Sequence, residues 1–342
     1  MKFDRSVPGG GVEVNCRLEK GKAFLEWEFY FTEQEESGTD GHVRLILTDR
    51  QGEVVLEGIQ LLSEDEPLQS VLLQPDLWKG PSAPWLYSLE AVLADREGRY
   101  LDRIVRQLPL RCIGCMEIQG KRGLILNGEA FCMKTVRYTL PATGTGAARQ
   151  QKVMEDLRWL LKMGANSVVV EDDSGELPEY FHELCDRLGF LLFYGKEKDE
   201  FRVWAQAQED RFQIQCEERI PSCRGEKDSV FLPGSSLPTS LYYHYRAKWS
   251  QDPFVYIVPE SIKRADSNNF TVKCYSNCDR VALYSDGSLF EFQRGEIEFV
   301  FQEVPARTPS IMLIAEGDGC SASLSVHKSF LAKARSSGRT LL

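Results

Sequence analysis

The order of apolar and polar positions changes period twice along the chain. From Ala23 to Phe31 the residues alternate: Leu25, Trp27, Phe29 and Phe31 fall on one side, Phe24, Glu26, Glu28 and Tyr30 on the other. Period two with one uniformly apolar face predicts a half-buried strand. Val43 to Leu47, Val54 to Leu56 and Leu86 to Leu93 read the same way, divided by polar turns such as Asp49-Arg50-Gln51-Gly52 and Asp95-Arg96-Glu97-Gly98. Short strands with turn signals at this spacing predict a β-sandwich over about residues 10–116.

The middle of the chain has helical spacing. Ala148 to Met163 carries Val153, Leu157, Leu160 and Leu161 on one face, and Gly164 closes the helix. Asn166 to Val170 reads as a buried strand, Leu177 to Leu188 as a second helix stopped by Gly189, and Phe190 to Tyr194 as the next strand. This order predicts a parallel α/β section. Glu200 to Glu218 is a candidate third helix, and residues 221–240, with Pro221, Gly225, Pro233, Gly234 and Pro238 among serines, read as a linker.

Beyond it the pattern returns to short strands: Phe270 to Tyr275, Arg280 to Tyr284, Ile297 to Phe301 and Ser310 to Ala315, with Asp286-Gly287 as a hairpin turn. The division is therefore 1–116 sandwich, 117–240 βα section with linker, 241–330 second sandwich and 331–342 polar tail.

Charge and cysteine narrow the function classes. The net charge of −10 and the lack of a basic cluster argue against nucleic acid, whose phosphates need a Lys and Arg patch. No apolar run approaches the ~18 residues of a membrane span. The start, Met1-Lys2-Phe3-Asp4-Arg5, has no apolar stretch behind it, which predicts a cytoplasmic protein. The 10 cysteines are dispersed, as in a reducing compartment. Cys112-Ile113-Gly114-Cys115 is a single CxxC, and Cys274 and Cys278 have no His close by, so no metal or other cofactor is expected. Cys132 and Cys185 read as small core residues. Gly9-Gly10-Gly11 reads as a flexible run, and His42, His182, His244 and His327 have no activated Ser or Cys beside them.

Several motifs occur in a telling order. Leu77-Trp78 and Pro84-Trp85-Leu86-Tyr87 resemble the end of the immunoglobulin-like domain of glycoside hydrolase family 2. Leu126-Asn127-Gly128-Glu129-Ala130-Phe131 resembles the turn leading into that family's catalytic barrel. Asp156-Leu157, Lys162 to Val168 and Glu183 to Gly189 are similar to its first two barrel helices and second strand. Tyr243 to Pro253 resembles the segment leaving the barrel, and Val272 to Asp286 the sandwich that follows it. The resemblance covers roughly residues 10–195 and 240–325. It implies two immunoglobulin-like β-sandwiches flanking an incomplete (β/α) barrel section, and hydrolysis of β-linked galactosides or glucuronides as the nominal activity.

The same resemblance implies losses. No jelly-roll segment is read, and residues 117–240 hold roughly three βα units where a barrel has eight. The family's acid/base and nucleophile Glu come from the fourth and seventh strands, and no Asn-Glu pair follows residue 195. The family's Asn and His at the first strand's end are Arg137 and Thr139 here. Val169 and Glu171-Asp172 stand where it has Arg and Ser-His.

Retaining hydrolysis needs two carboxyl groups about 5–5.5 Å apart. Candidates are Glu171, with Asp172 and Asp173, and Glu197, with Asp199 and Glu200, on strands ~4.8 Å apart. The plainer reading is that these are solvated loops, with Asp173 or Ser174 capping the next helix. Tyr242, Tyr243, Tyr245 and Trp249 are candidates for stacking on sugar rings, against a plainer role in packing. The favoured expectation is an inactive interaction or accessory module of carbohydrate metabolism. A homo-oligomer or partner protein would cover its open barrel section. The alternatives are an active β-glycosidase with relocated carboxylates and a non-hydrolytic carbohydrate-binding protein.

Overall fold

The computed structural model describes residues 1–6, 9–32, 41–64, 66–118, 121–141, 146–170, 177–197, 200–203, 221–223, 229–264 and 269–327, with backbone alone for 117–118, 121–122, 194–197 and 200–203. It is rich in strands and divides into two compact units, residues 1–157 with 166–220 and residues 158–165 with 221–342. No helix among the described residues is long and apolar enough to cross a membrane.

In the first unit, alternation becomes a sandwich of two antiparallel sheets. Lys22–Phe29 lies between Val12–Glu19 and Leu68–Leu73. The facing sheet runs in the order Val54–Leu61, Gly41–Thr48, Tyr87–Asp95, Tyr100–Leu108. Leu25 and Trp27 point inward as their period predicts and meet Val14, Leu45, Leu89 and Leu93. Each such burial contributes about 1.5–3 kcal/mol. The Trp27 indole N–H donates to the Ser70 hydroxyl at 2.8 Å, so the largest core residue brings in no unmet donor.

The glycine run is not a flexible leader. Gly11 has φ +91°, and a Cβ there would lie 2.8 Å from both the Asp4 nitrogen and the Tyr30 oxygen. Asp4 N–H donates to the Tyr30 carbonyl at 2.8 Å and Tyr30 N–H to the Gly11 carbonyl at 2.9 Å, tying the run into the sandwich.

After the sandwich, Ile113–Ile118 and Lys121–Leu126 form a hairpin extended by Glu129–Ala130. Asn127 and Gly128, at φ 56° and 86°, make the turn that left-handed backbone allows. Three parallel strands follow, Thr135–Tyr138, Ser167–Val170 and Leu191–Glu197, joined through the helices Gly146–Met163 and Glu179–Leu188. The second helix starts at Glu179, two residues later than the periodicity suggests, because Pro178 is extended at ψ 137°. Glu200–Val203 is not helical: it is a strand, paired antiparallel with Leu191–Glu197. Sheet pairing overrides a weak local propensity there; the rest of that candidate helix lies outside the described residues. Cys185 is buried, but Cys132 is exposed in the loop before Thr135–Tyr138, where its carbonyl accepts from the Asn166 amide.

In the second unit the described part of 221–240 is packed rather than a free linker. Ser222 bridges to Ser229 and Phe231 to Pro238, with Cys223, Val230 and Phe231 buried. The helix Ser240–Trp249 follows, its N-terminus capped by Thr239. Val255–Arg264, Asn269–Ser276 and Glu298–Pro305 form one sheet of the second sandwich. Ser288–Arg294, Arg280–Ser285, Ser310–Gly317 and Cys320–His327 form the other. Phe270, Val272, Phe299, Phe301 and Leu313 fill it, and Asp286-Gly287 makes its hairpin turn at φ 51° and 78°. The polar tail 331–342 lies outside the described residues.

Gly189 closes the second helix at φ +87°, and a Cβ there would sit 2.4 Å from the Pro81 nitrogen. Gly189→Ala combines left-handed strain with overpacking against backbone and is expected to cost more than about 2 kcal/mol. A urea midpoint equal to the wild type would contradict this close approach.

Candidate functional site

In α/β sheets, reacting groups gather at the carboxyl ends of parallel strands. The register here is explicit. Thr135, Ser167 and Leu191 form one row, Val136, Val168 and Leu192 the next, then Arg137, Val169 and Phe193. Alternate rows face opposite sides. Tyr138, from the next row, is buried, stacks on Phe181 at 5.5 Å and donates to the Asp156 carboxylate at 2.9 Å, so that side is the helix side. The other side carries Thr135, Arg137, Ser167, Val169, Leu191 and Phe193. Thr135 and Ser167 satisfy each other at 2.7 Å. Val169, Leu191 and Phe193 form one buried cluster with Trp78, Leu86, Leu124 and Leu126, and Ile113, Phe131 and Met133 pack onto it. The end of the sandwich and the hairpin thus cover this side.

The carboxylate candidates are not brought together in what is described. Glu171, Asp172, Asp173 and Asp199 lie outside the described residues. Glu197 ends its strand with its backbone opposite that of Glu200. Among the described residues no three His, Cys, Asp or Glu side chains are grouped to hold a metal ion.

The aromatic candidates lie on one helix of the second unit but in different settings. Tyr242 is fully buried, donates to the Trp159 carbonyl at 3.1 Å and meets the Trp159 ring edge-on at 5.8 Å. Neither of its faces is open to a ligand. Tyr245 and Trp249, four residues apart, pair with ring centroids 4.8 Å apart and are half-buried. Tyr243, from the same aromatic group, has its ring parallel to that of Tyr256 at 3.7 Å.

Sequence reasoning also missed a polar knot beneath the sheet. The Arg111 guanidinium, almost wholly buried, lies 4.4 Å over the Trp78 ring and donates to the Asp186 carboxylate at 2.8 Å. The Trp78 indole N–H donates to the Asp186 carbonyl at 2.8 Å. Asn127 holds the same place from the hairpin, donating to the Trp78 carbonyl and accepting from Cys112 N–H. Burial raises the Asp186 carboxyl above its ordinary range, against the pull of Arg111. Burial, helped by the Arg111 charge, lowers His182 to about 4. Arg111 and Asp186 are 75 residues apart, a separation that carries no sequence signal.

No family model matches the chain. It is 28% identical over 167 residues to the β-galactosidase large subunit of Lactobacillus acidophilus, a match taking in 48% of this chain and 26% of that protein. An FMN-binding β-glucuronidase structure from Facaelibacterium prausnitzii superimposes with a TM-score of 0.72 at 15% identity, covering 95% of this chain and 75% of that one. A putative β-galactosidase from Bacteroides fragilis gives 0.66 at 14% identity, over 92% and 72%. A β-glycosidase from Bacteroides vulgatus gives 0.67 at 13% identity, over 94% and 64%. The chain thus resembles β-galactosidases and β-glucuronidases in fold, as the likeness of its motifs to glycoside hydrolase family 2 implies. It spans about a quarter of the length of the curated relative it matches. Its family 2 motifs now have physical roles. Trp78, Asn127, Asp186 and Gly189 build the knot and its neighbouring turns, while Asp156 and Asn166 tie helix and loop to the first strand.

The lowered His182 has a consequence for stability. The unfolded chain takes up this proton near pH 6.5 and the folded chain near 4, so stability falls as the pH drops through that window. With allowance for partial solvent screening, the loss reaches roughly 2 kcal/mol. Urea midpoints at pH 7 and pH 4.5 are expected to differ less in His182→Gln than in the wild type. An equal difference would show that His182 does not titrate this way.

Proposed function

We propose that this family 2-like chain is a module of carbohydrate metabolism that no longer hydrolyses glycosides and acts by interaction, as an accessory or self-associating subunit. The observation that carries the reading is the covered side of the parallel sheet. In a complete barrel that side points inward, and its strand ends carry the reacting groups. Here Val169 and Phe193 pack against Trp78, Leu86, Leu124 and Leu126, and the one charged side chain in the three rows is Arg137. The edge strand supports the same reading. Glu200–Val203 runs antiparallel where a fourth parallel strand would add, and by resemblance the fourth strand would bring the acid/base Glu. An incomplete barrel leaves strand edges and apolar surface that a partner or second copy would cover.

The test is turnover of chromogenic β-galactosides and β-glucuronides by the full chain, with calorimetric titration of the free sugars. No turnover and no binding heat are expected, with a second copy or captured subunit in sedimentation. Turnover that disappears in Glu171→Gln or Glu197→Gln would instead establish an active β-glycosidase with relocated carboxylates. Binding heat without turnover would favour a carbohydrate-binding protein.

A further inference from the structure

Cysteine usage suggests no chemistry when read along the chain, yet folding brings thiols together. In the second sandwich the Cys278 and Cys320 sulfurs lie 3.7 Å apart, although 42 residues separate them in sequence. Cys278 lies two residues after Ser276, and its N–H donates to the Ser276 hydroxyl at 3.0 Å. Cys320 opens the strand Cys320–His327, and its thiol donates to the Gly317 carbonyl at 2.9 Å. Gly317 keeps the space between them clear, since a Cβ there would stand 3.1 Å from both Cβ and Sγ of Cys278. Cys278 is buried and Cys320 half-buried, so a reagent meets one sulfur first and finds the other behind it.

We infer that Cys278 and Cys320 are a redox modification site, a dithiol that closes to a disulfide joining the Ser276–Asp279 turn to the last hairpin of the second sandwich. A disulfide needs sulfurs about 2.05 Å apart, so they must approach by roughly 1.7 Å. The co-reactant is a small-molecule disulfide such as oxidised glutathione. The Cys320 thiolate attacks one of its sulfurs, forming a mixed disulfide and releasing one glutathione thiolate. The Cys278 thiol then loses its proton and attacks Cys320 Sγ, and the second glutathione leaves. Two electrons pass to glutathione disulfide, which ends as two thiols, and both protein protons go to those thiols or to solvent. Burial pushes the Cys320 thiol up to about 11, so closure is slow at neutral pH and accelerates as the pH rises. The site does not depend on the proposed loss of hydrolysis.

The full chain would be held at pH 8.5 in oxidised or reduced glutathione, alkylated, digested without reductant and mapped by mass. A Cys278–Cys320 crosslinked peptide is expected in the oxidised sample. The melting temperature should rise by about 5–10 °C, a rise that reduction reverses. Cys320→Ser should show neither effect. Alkylation of both thiols after oxidation, or Cys278 paired with another cysteine, would overturn the inference. The mapping of the unmodified sequence decides this even where the serine variant fails to fold.

Discussion

The first unit depends on burying a charge at the place where sandwich, hairpin and helix meet. Taking a guanidinium out of water costs several kcal/mol, and the cost is recovered only when its donors and its flat faces are used well. Arg111 uses both: its edge on Asp186 of the second helix and its face on Trp78 of the sandwich. Trp78 in turn has its indole N–H on the Asp186 carbonyl and its own carbonyl on Asn127. Three separate pieces of chain are therefore held together by bonds that converge on Trp78 and Asp186. The approach of Gly189 to the Pro81 backbone follows from them, since the helix end has to come this close for Asp186 to reach both partners.

This knot explains which parts of the chain are legible in sequence. Leu25, Trp27 and their alternating neighbours announce a strand because a two-sided sheet needs one wet and one dry face. The helix Gly146–Met163 shows itself by the same logic at period 3.6. Trp78, Asn127, Asp186 and Gly189 stand out only as a spaced motif; their reason is a contact among residues far apart in the chain. Glu200–Val203 was misread for a related cause: its partner strand, not its own composition, decides its conformation. Cys132 was misread because apolar sequence neighbours do not bury a residue in a loop, where its backbone rather than its side chain is engaged.

The site is less legible than the fold. A catalytic pair is defined by a distance across strands, which no one-dimensional pattern encodes, whereas a packed row is encoded by every second residue. What the residues do disclose is the character of each row. Arg137 and Val169 share a row with Phe193, and two of those three side chains lie in an apolar cluster. A carboxylate placed there would have to stay protonated or find Arg137, because charge is costly in apolar surroundings.

Retained and altered positions are under different physical constraints. Residues that hold the sandwich to the helix are constrained by the knot whether or not any sugar is bound, so they match the family 2 pattern. Residues at the strand ends are constrained only by what sits in front of them. At Val169, where Trp78, Leu124 and Leu126 pack against the sheet, an apolar side chain gains stability by its burial. A sheet covered in this way gains a rigid core and offers less room for a ligand.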